Sequence, residues 1–251
     1  MNTPYTPTPE TALIPVIKEH FLLNVVNKSG VPAEYSVGEE IRSQYGIPDL
    51  LFYNFHNEVL DMRMERKIAP ILSKEVLKTL LLIQNREKIT LSFLQENLPL
   101  SKDVIKNKVV RYLLNNNYLN KSLADCEAYW MGDIKYESCI KNMFAVEAKI
   151  SNWKRGFYQA YRYKWFSNYS FLALHDRFVK PAMNNFSLFV NHNIGLMSVD
   201  PLHNTIKLLH RPKKEMPYSK EFAAMTFEKL FADYCEKKAT SQSAQSSCVI
   251  I

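Results

Sequence analysis

The chain has 251 residues, which is enough for one large domain or two smaller ones with a sizeable core. Its composition, 47% apolar and 23% charged, is that of folded proteins and excludes a wholly disordered chain. The formal charge of +7 favours polyanionic partners such as nucleic acids or acidic membrane surfaces.

The first half of the chain predicts a helix, two strands and then a helical block. Apolar spacing predicts a helix over 11–24, and strands are predicted over Ala33–Ile41 and Ile47–Phe55. Residues 71–121 are almost wholly helical in pattern, with Ser73 and Ser101 as the N-caps of the first and third of three short helices.

After Lys141 the predicted elements alternate between strands and helices. Strands are predicted at MFAVEAKI, YSFLALHD, IGLMSVD and TIKLLHRP, and helices at SNWKRGFYQAYRYKWFS, at RFVKPAMNNFSLFVNH with a bend near Pro181, and over Ser219–Lys237. This alternation indicates an α/β fold, a mixed sheet flanked by helices. We therefore predict a discontinuous core of residues 1–70 and 122–238, interrupted by the helical block 71–121.

Neither end of the chain carries a recognisable targeting or membrane segment. The N-terminus lacks the basic start and apolar run of a signal peptide, and no apolar stretch is long enough to span a bilayer. The cysteines never approach CxxC spacing, which excludes a readable zinc ribbon or dithiol site. We expect a cytoplasmic protein without a membrane partner. Residues 1–9 and 239–251 are predicted to be flexible, and we attribute the prenylation-like ending Cys248–Ile251 to chance.

Two predicted strands carry charged residues where core strands usually avoid them. Asp49 lies in the apolar stretch IPDLLF, and Glu147 and Lys149 lie in FAVEAKI. Strand geometry places Glu147 and Lys149 on one face, with Ala148 on the other. If the two strands are neighbours, two carboxylates and an ammonium share a cleft. Such oxygens bind hard divalent cations, and the lysine can orient water and stabilise a developing phosphate charge. The alternative is a salt bridge between Lys149 and one acid.

The helix after the second of these strands carries Gln159 and Tyr163 one turn apart on one face. In this order, Pro48-Asp49, Glu147-Ala148-Lys149 and the Gln159/Tyr163 pair resemble the acidic motif, the ExK motif and the QxxxY element of the PD-(D/E)xK nuclease superfamily. The resemblance covers about residues 33–55 and 141–200 and implies a restriction-endonuclease-like fold. The long gap between the two acidic motifs departs from the simplest pattern, and the helical insertion accounts for it.

The resemblance also implies roles for individual residues. Asp49 and Glu147 would bind Mg²⁺, or Mn²⁺, together with the Ala148 carbonyl oxygen, and Lys149 would position the attacking water; Gln159 and Tyr163 would complete the catalytic set. An additional acid often comes from the first helix, for which Glu19 is the candidate, with Glu40 as a second. For His175, at the end of a later strand, a satisfied histidine at the edge of the core is the preferred interpretation.

The helical block 71–121 looks like a winged helix-turn-helix module. Its third helix carries Lys102, Lys106, Lys108 and Arg111 opposite an apolar face, and Tyr118–Ser122 follows as a wing. Such a helix can enter the major groove of DNA. The alternative is the solvated face of a bundle that packs on the core or dimerises. Two further cations, Lys154 and Arg155, precede the Gln159/Tyr163 pair and are predicted to contact DNA.

The first hypothesis is therefore a Mg²⁺-dependent endonuclease that hydrolyses double-stranded DNA, in restriction, phage defence or mobile-element biology. A second is a non-catalytic DNA-binding regulator or scaffold on a nuclease-like fold. A third is a nuclease acting on RNA or on branched or single-stranded DNA, with Trp153, Tyr158 and Trp165 as stacking residues, although we expect most of these aromatic residues in the core. Cutting both strands requires two sites, so symmetry suggests a homodimer.

Overall fold

The computed structural model describes residues 9–26 and 35–247, and these residues divide into two compact units. Unit 1 takes the described residues of Met1–Phe55 together with Ile140–Ala223. Unit 2 takes His56–Cys139 and the described part of Ala224–Ile251. The predicted insertion, residues 71–121, lies wholly inside unit 2, which is larger than predicted on both sides and also includes most of the last helix.

The elements follow one another in a mixed order. The strands are β1 (Ser36–Glu39), β2 (Leu50–Phe55), β3 (Lys88–Thr90), β4 (Leu119–Lys121), β5 (Ala128–Met131), β6 (Ile140–Lys149), β7 (Tyr169–His175), β8 (Gly195–Asp200) and β9 (Thr205–His210). The α-helices are α1 (Leu13–Phe21), α2 (Asn57–Glu65), α3 (Lys74–Ile83), α4 (Leu91–Asn97), α5 (Lys102–Val104), α6 (Arg111–Asn115), α7 (Trp153–Tyr163), α8 (Lys180–Met183), α9 (Phe186–Asn191) and α10 (Lys220–Ser247). Within this described part of the chain, no helix is both long and apolar enough to cross a bilayer.

Unit 1 is built on a mixed six-stranded sheet with the order β1-β2-β6-β7-β8-β9. The central strands β6, β7 and β8 are parallel to one another, and the outer pairs β1–β2, β2–β6 and β8–β9 are antiparallel. Parallel strands need crossover connections, and here α7 joins β6 to β7 while α8 and α9 join β7 to β8. The predicted α/β class with a mixed sheet flanked by helices is confirmed.

The two faces of this sheet are covered by different helices. Phe144, Val146 and Ala148 of β6 belong to the core that also contains the buried residues of α1. The intervening residues of β6 point to the other face, where the apolar residues of β7 and β8 pack against α7 and α9. Glu147 and Lys149 therefore lie on the α7 face of the sheet, beneath a helix that carries polar groups toward them.

The segment around Pro181 differs from the single bent helix that its pattern predicts. It forms a 3-10 turn, Asp176–Phe178, followed by the separate helices α8 and α9. Pro181 lies in the first turn of α8, where its missing N–H has no helical partner to lose. The helical segment therefore begins anew at the proline instead of bending there.

Unit 2 combines helices with a small sheet of order β3-β5-β4. The predicted caps are confirmed: the Ser73 side chain accepts a hydrogen bond from Val76 N, and Ser101 accepts one from Val104 N. A π-helical segment, Ile105–Val110, joins α5 to α6, so residues 102–115 form one continuous helical stretch. The last helix, α10, continues to Ser247, so residues 239–247 of the predicted flexible tail are helical, whereas Cys248 and the residues after it lie outside the described part of the chain.

A buried ion pair lies in the interior of unit 2. Arg63 Nη1 lies 2.7 Å from Glu228 Oε1 and Arg63 Nη2 lies 2.8 Å from Glu228 Oε2, so the two side chains form a bidentate pair. The Ile71 N–H also donates to Glu228 Oε2, at 2.7 Å, and Phe231 stacks beneath the guanidinium. These contacts satisfy both charges inside an apolar core.

Candidate active site

The two acidic motifs meet because β2 and β6 pair with each other. Their antiparallel register sets Leu50 opposite Val146, and one further step sets Asp49 opposite Glu147. Asp49 lies immediately before β2, and its Oδ2 accepts a hydrogen bond from Ala148 N at 2.7 Å. The strands that the sequence leaves as unproven neighbours are therefore adjacent, and the sheet brings together acids that are far apart along the chain.

Lys149 connects the acids at the end of β6. Its Nζ lies 2.7 Å from Glu147 Oε1, 3.0 Å from the Ala148 carbonyl oxygen and 3.2 Å from Glu10 Oε2. Glu147 is 1% exposed and Lys149 is 9% exposed, whereas the Glu10 side chain is exposed to solvent. The ammonium thus contacts two of the three oxygen groups predicted to bind a metal ion.

The electrostatics of the cluster indicate an excess of negative charge. Burial raises the pKa of Asp49, and so do the neighbouring charges of Glu10 and Glu40, against the hydrogen bond from Ala148. Burial also raises the pKa of Glu147, and the charge of Asp49 adds to that effect. Burial is the larger cause for both acids, and a cation between the two carboxylates would offset the repulsion between their charges.

The pKa of Lys149 moves in the direction that keeps the amine charged. Burial by itself lowers the pKa, but the hydrogen bond to Glu147 and the charges of Glu147, Asp49 and Glu10 together raise it above the ordinary value. The side chain is therefore an ammonium at neutral pH. In this state it donates protons to hydrogen bonds and stabilises negative charge, and it is not a general base.

Tyr163 and Gln159 contribute to the site from α7. The Tyr163 hydroxyl donates to Glu147 Oε2 and lies 3.1 Å from the Ile47 carbonyl oxygen. Burial raises the pKa of Tyr163, so the hydroxyl keeps its proton. Gln159 lies one turn earlier, and its Oε1 is buried without a hydrogen-bond donor among the described residues. Tyr163 thus holds Glu147, and Gln159 offers an unused acceptor.

A backbone feature allows Tyr163 to reach the acid. Gly46 has a φ of 149°, and a Cβ placed there would lie 2.9 Å from Tyr163 Cε1. The absence of a side chain at this position lets the tyrosine ring pack against the turn that precedes β2. Tyr163 therefore contacts both the turn at Gly46 and the Glu147 carboxylate.

An acidic cleft of about 1030 Å³ opens beside these residues. Asp49 and Ala148 line it, and both predicted additional acids, Glu19 and Glu40, line it as well. The acid that reaches Lys149 is Glu10, which the sequence analysis missed. Glu10 lies in a 3-10 turn just before α1, outside the predicted helix 11–24. The sequence signal for Glu10 is an acidic residue placed immediately before the first predicted helix.

The predicted metal ligands form a set of two carboxylates and one main-chain oxygen. Across the described residues, 9–26 and 35–247, no group of three or more His, Cys, Asp or Glu side chains is arranged to hold a metal ion. The oxygens of Asp49, Glu147 and Ala148 nevertheless have the hard donor chemistry that Mg²⁺ or Mn²⁺ prefers, and the raised pKa values of both acids favour a cation. The residues therefore fit such an ion in their chemistry.

Comparisons of this chain with protein-family models, with curated proteins and with solved structures returned no match. The resemblance to the PD-(D/E)xK superfamily therefore rests on the residues themselves and stays a prediction. Its geometric part is specific, because it names which strands pair and which side chains converge. Its chemical part, hydrolysis of a phosphodiester, requires an experiment.

The remaining predicted residues lie outside this cluster. His175 is buried at the end of β7, and its Nδ1 accepts a hydrogen bond from the Arg177 N–H at 3.3 Å, which agrees with a satisfied histidine at the edge of the core. Lys154 and Arg155 are exposed in the first turn of α7.

The basic residues predicted on the third helix of the insertion belong to unit 2. Lys102 and Lys106 pair with Glu127, at 3.2 and 3.0 Å, and Lys108 pairs with Glu75 at 3.0 Å, whereas Arg111 is exposed on α6. Three of these four cations thus already have acidic neighbours, which their helical pattern does not indicate.

Proposed function

We propose that unit 1 is a Mg²⁺-dependent endonuclease that hydrolyses DNA phosphodiester bonds. The observation that carries this proposal is the convergence of Asp49, Glu147 and Lys149 at the adjoining ends of β2 and β6, beside an open cleft. Perturbed titratable groups in a cleft are more common at functional sites than in structural ion pairs. A dimer of such sites would account for cutting both strands.

In this proposal some residues bind the metal ion and others stabilise the charge on the phosphate. Asp49, Glu147 and the Ala148 carbonyl oxygen would hold the metal ion, which would supply Lewis-acid activation of the phosphate and of a water molecule. Lys149 orients the attacking water and stabilises the negative charge that develops on the phosphate. The Ala148 N–H orients Asp49, and the Tyr163 hydroxyl keeps Glu147 in place.

We also propose that unit 2 grips the DNA as a winged helix-turn-helix-like module. The order α3, β3, α4, the helical stretch 102–115, β4 and β5, with the sheet order β3-β5-β4, supports this proposal. In such a module the last helix enters the major groove and the final hairpin contacts the backbone.

The ion pairs on this helical stretch do not prevent it from binding DNA. Lys102 and Lys108 are exposed and Lys106 is half-exposed, and ion pairs that water can reach contribute little to stability. Phosphate groups can therefore replace Glu127 and Glu75 as partners. Arg111 extends the same basic surface.

The test is cleavage of plasmid DNA by the pure full-length protein with Mg²⁺, with EDTA in a parallel reaction. We expect cutting in Mg²⁺ and none in EDTA. Asp49→Ala and Lys149→Ala should abolish cutting while binding of the same DNA in Ca²⁺ or EDTA survives. Retained Mg²⁺-dependent cutting by both variants would refute the assignment.

Matched controls come from the same unit. Lys164 is a buried lysine paired with Glu215 at 2.8 Å, and Asp200 is a strand-end aspartate paired with His203 at 2.6 Å. Lys164→Ala and Asp200→Ala should both keep cleavage activity. A wild-type protein that binds DNA and cuts none under any divalent ion would instead favour a non-catalytic DNA-binding protein.

A further inference from the structure

A second cavity of unit 1, of about 590 Å³, lies along α7 and α9 and is lined with aromatic rings. Phe157 is buried at its base and packs edge-to-face against His192, with ring centroids 5.7 Å apart. Trp153, Tyr158 and Tyr161 surround it. We call this the aromatic groove. Its rings are arranged around an open space and do not close over it.

Tyr158 is the most exposed of these rings. Tyr158 is 68% exposed, so it is not among the aromatic residues that lie in the core. Trp165, by contrast, stacks on Tyr45 with ring centroids 4.6 Å apart, so one face of its ring is already covered. An exposed ring beside an aromatic-lined cavity provides a flat surface on which a planar ligand can stack.

The segment that forms the groove has more basic than acidic residues, although its buried Lys164 is paired with Glu215 at 2.8 Å. Residues 150–199 contain a single acid, Asp176. The basic residues of the same segment are Lys154, Arg155, Arg162, Lys164, Arg177 and Lys180. Lys154 lines the groove itself, with its Nζ 6.0 Å from the centre of the Trp153 ring. This balance is the opposite of that in the acidic cleft, whose lining includes Glu10, Glu19 and Glu40.

The groove and the candidate active site share α7. Gly156 of this helix packs so closely on the site that a Cβ there would lie 3.0 Å from Lys149 Cγ. Tyr158 is two residues further along and Lys154 two residues before. The helix that packs on Lys149 therefore also carries the exposed ring and the cation of the groove.

We propose that the aromatic groove binds unpaired nucleotides of a single DNA strand, with Tyr158 stacking on a base and Lys154 contacting the backbone. Stacking rings combined with cations are the usual means of holding single strands, since every base has a flat face. This inference rests on the proposed function in that it names the substrate of the same site, DNA with a single-stranded segment. The scissile phosphate then lies in the strand that the groove holds.

The test is binding of a fluorescein-labelled thymidine oligonucleotide and of a labelled blunt hairpin duplex, followed by fluorescence anisotropy in EDTA. Stacking of one base predicts a loss of about fivefold or more in single-strand affinity for Tyr158→Ala. Tyr158→Phe keeps the ring and should keep the affinity. Leu202→Ala removes a similarly exposed apolar side chain, 76% exposed, outside the groove and should change nothing.

The outcomes separate this inference from the proposed function. Equal affinity of Tyr158→Ala and wild type for the oligonucleotide, or an equal loss on both ligands, overturns the groove as a single-strand site. Binding in EDTA does not depend on cleavage, so a protein that holds single strands through Tyr158 and cuts nothing with Mg²⁺ contradicts the proposed function only. A protein that cuts the hairpin and binds no single strand contradicts the groove only.

Discussion

Replacing Tyr163 by phenylalanine tests whether the QxxxY element holds Glu147. The ring is 2% exposed and would stay packed against Gly46, so the substitution removes only the hydroxyl. Glu147, itself 1% exposed, would lose the donor on Oε2 and keep Lys149 on Oε1. A hydrogen bond to a charged group contributes about 1.5–3 kcal/mol, and we expect the free energy of unfolding to fall by about that amount.

The effect should depend on pH with a definite sign. The pKa of Glu147 in the folded protein is raised, so the carboxyl stabilises the fold at low pH and loses that contribution as the pH rises through the raised value. The Tyr163 hydroxyl opposes this loss, because it lowers the pKa. Tyr163→Phe should therefore cost more at a pH above the raised pKa of Glu147, where a carboxylate accepts this hydrogen bond, than at a pH below it, where the carboxyl is neutral.

The assay is thermal unfolding of both proteins without divalent ions at neutral and at acidic pH. At neutral pH the expected loss corresponds to a fall in Tm of about 3–12 °C, at about 2–4 °C per kcal/mol for a chain of this size. Tyr158→Phe removes an exposed hydroxyl from the same helix and should leave the Tm unchanged. An unchanged Tm for Tyr163→Phe, or a fall that is the same at both pH values, would refute the reasoning.

Three further predictions test other contacts. Arg63→Met leaves Glu228 buried and unpaired, so urea unfolding should show a loss of about 3–5 kcal/mol; a loss below about 1 kcal/mol would contradict the buried pair. In Gly156→Ala the new Cβ would lie 2.5 Å from Leu172 Cδ1 and 3.0 Å from Lys149 Cγ, so both side chains must shift. We expect a lower Tm and, at temperatures where the variant is folded, Mg²⁺-dependent cleavage lowered about ten- to a hundredfold while DNA binding persists. Normal cleavage rates would show that the lysine tolerates the shift. Asp49→Asn removes a carboxylate whose pKa burial raises, so the Tm of the metal-free protein at neutral pH should rise. Added Mg²⁺ should then raise the Tm of this variant no further. A lower Tm would show that the carboxylate stabilises the fold.

The sequence predicted those features of the site that depend on local periodicity. Strand alternation placed Glu147 and Lys149 on one face of β6, and helical spacing placed Gln159 and Tyr163 on one face of α7. The charge of Asp49 in an apolar strand made it a candidate, but its pairing with β6 stayed a condition, because pairing between distant strands is set by tertiary packing. The coarse α/β class followed from the alternation of elements after Lys141.

Features that depend on distant contacts could not be predicted. Glu10 reaches Lys149 only because the segment before α1 lies against the end of β6. Glu127, which pairs with Lys102 and Lys106, comes from the residues just before β5 and has no fixed spacing to them. The strands of unit 2 are three or four residues long, too short to show alternation within a helical pattern.

Two ion pairs with buried partners, Arg63–Glu228 and Lys149–Glu147, differ in their surroundings. Arg63 and Glu228 satisfy each other in a bidentate pair, as a structural role requires. Glu147 and Lys149 lie instead among further acids, beside a cleft, and the pKa values of both Asp49 and Glu147 are raised. Apolar residues would serve stability at least as well at such a position. A charge cluster in which burial and a neighbouring carboxylate raise the pKa of an acid is the kind of arrangement that the proposed metal-binding site would need.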